Sequence, residues 1–156
     1  MAGRVAARLA ELGIVLPAMA APVANYVPFV RTGSLIHLAG QIPKRGDEIL
    51  FVGKLGDNIS VEQGQEAARV CVINFLAATS AALGGDLDRV KRIVKINVFV
   101  HSSPGFTGQP AVGNGASDLL VSIFGEAGKH ARSAVGVAQL PFGVAVEIDG
   151  IVEVHE

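Results

Sequence analysis

The chain has 156 residues, the size of one ordinary domain, and half of them are hydrophobic, enough to bury a core without disulfides or metal. Thirteen basic against fourteen acidic side chains leave a formal charge of −1, so the basic surplus that a nucleic-acid partner usually needs is absent. The one cysteine, Cys71, rules out an intrachain disulfide and fits a reducing compartment.

Residues 3–12 have a helical pattern that stops at Gly13, a natural C-cap. Glu11 interrupts the apolar stretch, so no secretory leader is expected here. Pro17, Pro22 and Pro28 then break the chain into an extended arm, which makes residues 1–22 an appendage and 23–156 a single domain. Residues 26–31 and 34–41 read as strands around the turn signal Thr32-Gly33-Ser34. A loop with a short strand near 49–52 follows. The clearest helix spans 61–83: Ser60 is a candidate N-cap, Gln63 completes a capping box, and Gly84-Gly85 end it. Ala67, Val70, Cys71, Asn74, Phe75, Ala78 and Ala82 recur at helical spacing and should face a sheet. The longest uncharged run, 70–85, is too short to span a bilayer, and the expected location is cytoplasmic.

Residues 90–100 alternate as a strand does, with Val94, Ile96, Val98 and Val100 on one face and Lys95 and Asn97 on the other. Pro110 suits the first turn of a second long helix that runs to about Phe124, and Gly113-Asn114-Gly115 reads as a loop or helix start. Strands at 132–139 and 144–154 flank a Leu-Pro-Phe-Gly turn. The pattern predicts an α+β fold, with helices on one face of one sheet. The other face is expected to carry Lys, Asn, Glu, Asp and Arg beside small residues, so it is either solvated or buried in a polar oligomer interface.

Two side chains stand out for chemistry. Arg132 opens a strand whose next same-face residues are Ala134, Gly136 and Ala138, leaving a hollow beside a guanidinium suited to bidentate carboxylate binding. The alternative is a structural ion pair with Glu147 or Asp149. Glu147 sits mid-strand among β-branched residues, where it either accepts a proton or orients water, or pairs across the sheet with Lys95. Four histidines, at 37, 101, 130 and 155, lack metal spacing; His101 and His130 read as surface residues or as the rim of a pocket. Cys71 lies on an apolar stripe and reads as a small buried hydrophobe.

The stretch 130–148, HARSAVGVAQLPFGVAVEI, resembles the C-terminal signature of the RidA/YjgF family. Tyr26 with LIHLAGQIP at 35–43, and LGGDLDRVKR at 83–92 with KINVFV at 95–100, agree in order and spacing, so the resemblance covers about residues 23–154. It implies a chorismate-mutase-like α+β fold: a mixed sheet with two helices on one face, and the other face packed in a homotrimer with pockets between subunits. It further implies cofactor-free hydrolysis of small 2-imino or enamino acids to 2-keto acids and ammonia. Matched position by position, Arg132 stands where the family binds carboxylate, Glu147 where it positions water, and Tyr26, Ala39, Gly40 and Asn114 where it lines the pocket. Ala134 stands where the deaminases usually carry Cys, and Ala39 where they often carry Ser. These departures motivate the alternative of a non-catalytic trimer that binds 2-keto acids. Some relatives carry an endoribonuclease label, which the missing His pair and basic groove disfavour.

Overall fold

The computed structural model describes residues 3–19 and 24–156. Pro22, expected in the extended arm, lies outside them. The elements in chain order are α1 (Arg4–Glu11), β1 (Phe29–Thr32), β2 (Leu35–Gln41), β3 (Lys44–Arg45), β4 (Glu48–Ile49), α2 (Val61–Ala82), β5 (Val90–His101), α3 (Gln109–Phe124), β6 (Ala131–Val137) and β7 (Val146–Val154). Five strands form one mixed sheet in the order β1-β2-β7-β5-β6, and β3 and β4 make a separate small hairpin. All sheet pairings are antiparallel except β5 with β6, which α3 joins as a parallel crossover. The final two strands are therefore not neighbours, because β5 lies between them.

The capping box forms as the sequence predicts: Ser60 Oγ accepts from Gln63 N at 3.1 Å, and Ser60 N donates to Gln63 Oε1 at 2.8 Å. Ala67, Cys71, Phe75 and Ala78 bury the inner face of α2 against the sheet. Phe75→Ala would cost about 3–5 kcal/mol as a large-to-small core change. Burial along β7 alternates strictly, with Val146, Ile148, Val152 and Val154 inside and Glu147, Asp149, Ile151 and Glu153 half-exposed. On β5 the alternation breaks. Ile93 is fully buried and Val94 is not, the reverse of the predicted face. The cause is a bulge in which Ile93 opposes Val152 and Lys95 opposes Ile151, so β5 advances two residues while β7 advances one.

The opening helix is not an appendage. Val5 and Leu9 are buried in the common core, Arg8 Nε donates to Ser122 O of α3 at 2.8 Å, and Asp88 caps the helix by accepting from Arg4 N and Val5 N, both at 2.9 Å. These two backbone donors hold the Asp88 carboxyl below its usual range. Gly113-Asn114-Gly115 lies inside α3, not in a loop. Gly115 allows that position, since a Cβ there would stand 2.4 Å from Gln65 O on α2. No described helix is long and apolar enough to cross a membrane.

Candidate functional site

The side chains predicted to share a pocket fall into two groups at different places on the sheet. Arg132 opposes Ile96, and Ala134 opposes Val98, both buried under the helices. Glu147 opposes Phe99, which in turn opposes Val135 on the open face. Arg132 and Glu147 thus project from opposite faces, with all of β5 between their strands. At about 4.8 Å per strand sideways, and with a three-residue offset along β5 at about 3.3 Å per residue, their backbones are roughly 14 Å apart. The alternative ion pairs do not form: Arg132 pairs with neither Glu147 nor Asp149, and Lys95 does not pair with Glu147.

Around Arg132 the surroundings come from α3. Nη1 donates to Asn114 Oδ1 at 3.0 Å and to Ser117 Oγ at 3.1 Å, and Nη2 makes one long contact of 3.4 Å to Pro110 O. No described residue accepts from Nε. The Nε–Nη2 edge, which grips a carboxylate side-on, stays available. Gly113 makes the room, since a Cβ there would lie 3.1 Å from Nη1 and 3.5 Å from the Ala134 methyl. Arg132, Asn114 and Ala134 therefore lie together. Ser117 was not singled out. Its signal was its place three residues after Asn114, on the same side of a helix.

Around Glu147 the arrangement is barer. Its carboxylate lies over Gly40, where a Cβ would stand 2.9 Å from Oε1. It accepts no hydrogen bond from any described residue. Burial first, and the nearby Asp149 charge second, raise its pKa, which makes it a stronger base than an ordinary surface carboxylate. Asp149 itself accepts from Asn97 Nδ2 at 2.7 Å. Tyr26, Ala39 and Gly40 line a cleft of about 430 Å³, closed on other sides by Pro17, Met19, Asn74 and Phe142. Asn74 fixes one wall by donating to the carbonyls of Ile42 and Lys44, at 3.0 and 2.9 Å.

Two histidines depart from the surface reading. His101 is buried and neither ring nitrogen has a partner among the described residues. His130 is half-buried and bonded at both nitrogens, to Ser117 Oγ and Gly128 O. Cys71 is buried as expected, and burial pushes its thiol well above the usual range, which leaves it unreactive.

The family model described as "YjgF/chorismate_mutase-like, putative endoribonuclease" matches residues 6–148. The chain is 58% identical to Protein TCP17 of Trypanosoma cruzi, over 98% of this chain and 96% of that protein. It is 29% identical to the 2-iminobutanoate/2-iminopropanoate deaminase of Dermatophagoides farinae, over 86% of this chain and 89% of that protein. Among solved structures, it resembles the Agrobacterium tumefaciens protein Atu1372 at 46% identity and a TM-score of 0.91, covering 97% of this chain and 93% of that one. With its α+β mixed sheet and this matching span, the chain belongs to the RidA/YjgF family.

Proposed function

We propose that the protein hydrolyses small reactive 2-imino acids to 2-keto acids and ammonia, in a pocket completed between two copies of the chain within a homotrimer. The observation that carries this reading is the separation of its two halves. Arg132 offers an edge whose Nε has no acceptor among the described residues on one side of the sheet, and Glu147 offers a basic carboxylate with no hydrogen-bonded partner among them on the other. A single chain cannot bring both to one small ligand, whereas neighbouring copies can. The resemblance to a named imine deaminase supplies the substrate class.

In this reading Arg132 of one copy binds the substrate carboxylate, a charge-assisted contact worth about 1.5–3 kcal/mol. Glu147 of the next copy aligns a water on the imine carbon and takes its proton. Addition of the hydroxide, with return of that proton from Glu147 to the nitrogen, gives a carbinolamine. The C–N bond then breaks as the carbinolamine hydroxyl proton passes through Glu147 to the nitrogen, which leaves as ammonia, and the oxygen stays as the ketone. Tyr26, Ala39 and Gly40 wall the Glu147 side, and Asn114 and Ala134 the Arg132 side. No cofactor takes part.

The test is ammonia release from freshly generated iminopropanoate. Wild type should exceed buffer, while Arg132→Ala and Glu147→Gln should each fall far below it. Co-refolding those two variants should restore part of the activity, since mixed trimers contain pockets in which both side chains are intact. Wild-type release no faster than buffer sinks the reading. A second reading, a trimer that binds 2-keto acids without turnover, is favoured by Ala39 and Ala134, which bring neither hydroxyl nor thiol to the pocket. It predicts calorimetric binding of 2-ketobutyrate, lost in Arg132→Ala, with no ammonia release.

A further inference from the structure

His130, Ser117 and Arg132 form a hydrogen-bond chain in which every atom has one role. His130 Nδ1 lies 2.7 Å from Gly128 O. A carbonyl only accepts, so Nδ1 carries the ring proton. In the neutral ring Nε2 is then an acceptor, and the Ser117 hydroxyl, 2.9 Å away, donates to it. With its proton committed to His130, Ser117 Oγ turns its lone pairs to Arg132 Nη1, at 3.1 Å. The second Nη1 proton goes to Asn114 at 3.0 Å. Both Nη1 protons are thereby taken, while Nε has no acceptor among the described residues and Nη2 makes only the long contact to Pro110 O.

We propose that Ser117 and His130 are positioning residues for Arg132. They fix the plane and rotation of the guanidinium so that a ligand carboxylate meets it side-on through Nε and Nη2. This assignment deepens the carboxylate pocket proposed above and rests on that reading. Without the chain, the fork turns about its stem and must lose that freedom each time a ligand binds. Gly128 O acts as the anchor: it selects the His130 tautomer, which orients the Ser117 hydroxyl, which orients the arginine. The remaining neighbours of the fork, Pro110 O and the Gly113 gap, carry no charge.

Two measurements on the full chain test this. The first is the nitrogen–proton NMR spectrum of the His130 ring and of the Arg132 guanidinium in mildly alkaline buffer. The Nδ1-protonated tautomer is expected, with Arg132 rotation slow in wild type and faster in Ser117→Ala. An Nε2-protonated ring, or an Arg132 signal unchanged by Ser117→Ala, overturns the proposal whether or not any ligand binds. The second is the split between KM and kcat for iminopropanoate, or the Kd of 2-ketobutyrate if turnover is absent. Ser117→Ala should raise KM or Kd roughly fivefold, the loss of one hydrogen bond, with kcat unchanged. Ser117→Thr, which keeps the hydroxyl, should restore it. A fall in kcat with KM unchanged, or no rescue by Thr, overturns the positioning role. Equal behaviour of wild type and Arg132→Ala overturns the carboxylate reading instead, and leaves the NMR result to judge the positioning chain by itself.

Discussion

The arginine side and the glutamate side of the candidate site are built on opposite plans. Arg132 is held by three acceptors from α3, with a histidine fixed behind one of them. Glu147 has no hydrogen-bonded partner among the described residues, and a glycine lies under its carboxylate. A group that must present one fixed edge to a ligand benefits from being held before the ligand arrives. A group that must take up a proton benefits from partial desolvation and from not being neutralised by a cation. Under the proposed function, the difference teaches that binding and proton transfer would fall to separate parts of the chain, each in surroundings suited to its task.

The sharpest way to break this comparison is a split in kinetic constants. Glu147→Gln should lower kcat for imine hydrolysis by about 10²–10⁴-fold with KM little changed, as expected for loss of a general base. Arg132→Ala should act mainly on binding, raising KM or the Kd of 2-ketobutyrate by roughly tenfold to a hundredfold. If both variants change the same constant, the two sides are not doing different work.

A matched glycine pair gives the next largest effect. In Gly113→Ala the new methyl would press on Nη1 and Cζ, 3.1 and 3.3 Å away, and should raise KM several-fold, on the order of 1 kcal/mol. In Gly40→Ala the methyl would meet Glu147 Oε1 at 2.9 Å and should lower kcat by a similar factor. Steady-state kinetics on the two variants should therefore show opposite signatures, and matching signatures would contradict the comparison.

The smallest effect is on stability. The Glu147 pKa is raised in the fold, so folding favours the protonated acid. That contribution is complete below the unfolded carboxylate value of about 4.3 and is lost as pH rises through the folded value. Glu147→Gln should therefore raise Tm slightly at neutral pH, and the gain should vanish near pH 4. A thermal melt series across that range checks the sign.

Much of the fold was legible because it rests on local rules. The helix over 61–83 is observed as Val61–Ala82, and its Ser60–Gln63 box forms. The alternation over 144–154 gives the buried and open faces of β7 correctly. The β5 face holds for Ile96, Val98 and Val100 but fails at Val94, because a bulge depends on what the neighbouring strand does, and alternation along one strand carries no record of it. The appendage reading of residues 3–12 failed for a related reason: the cap comes from Asp88, far along the chain. At the site, the sequence puts Arg132, Asn114 and Ala134 in one pocket with Glu147, whereas within the chain Glu147 lies apart from them, a division hidden because β5 enters the sheet between two strands that follow each other in sequence. The Ser117–His130 bond spans a helix end and a 3₁₀ turn, so no spacing rule announces it.

The docking of α1 reaches further than its own burial. Arg8 fastens to the last turns of α3 through Ser122 O, and the opening turns of that same helix hold Arg132 through Pro110, Asn114 and Ser117. One rod is thus clamped at its far end by α1 and holds the Arg132 guanidinium at its near end. The opening helix works as a strut, and a chain that begins its fold without such a strut must steady the arginine by other means.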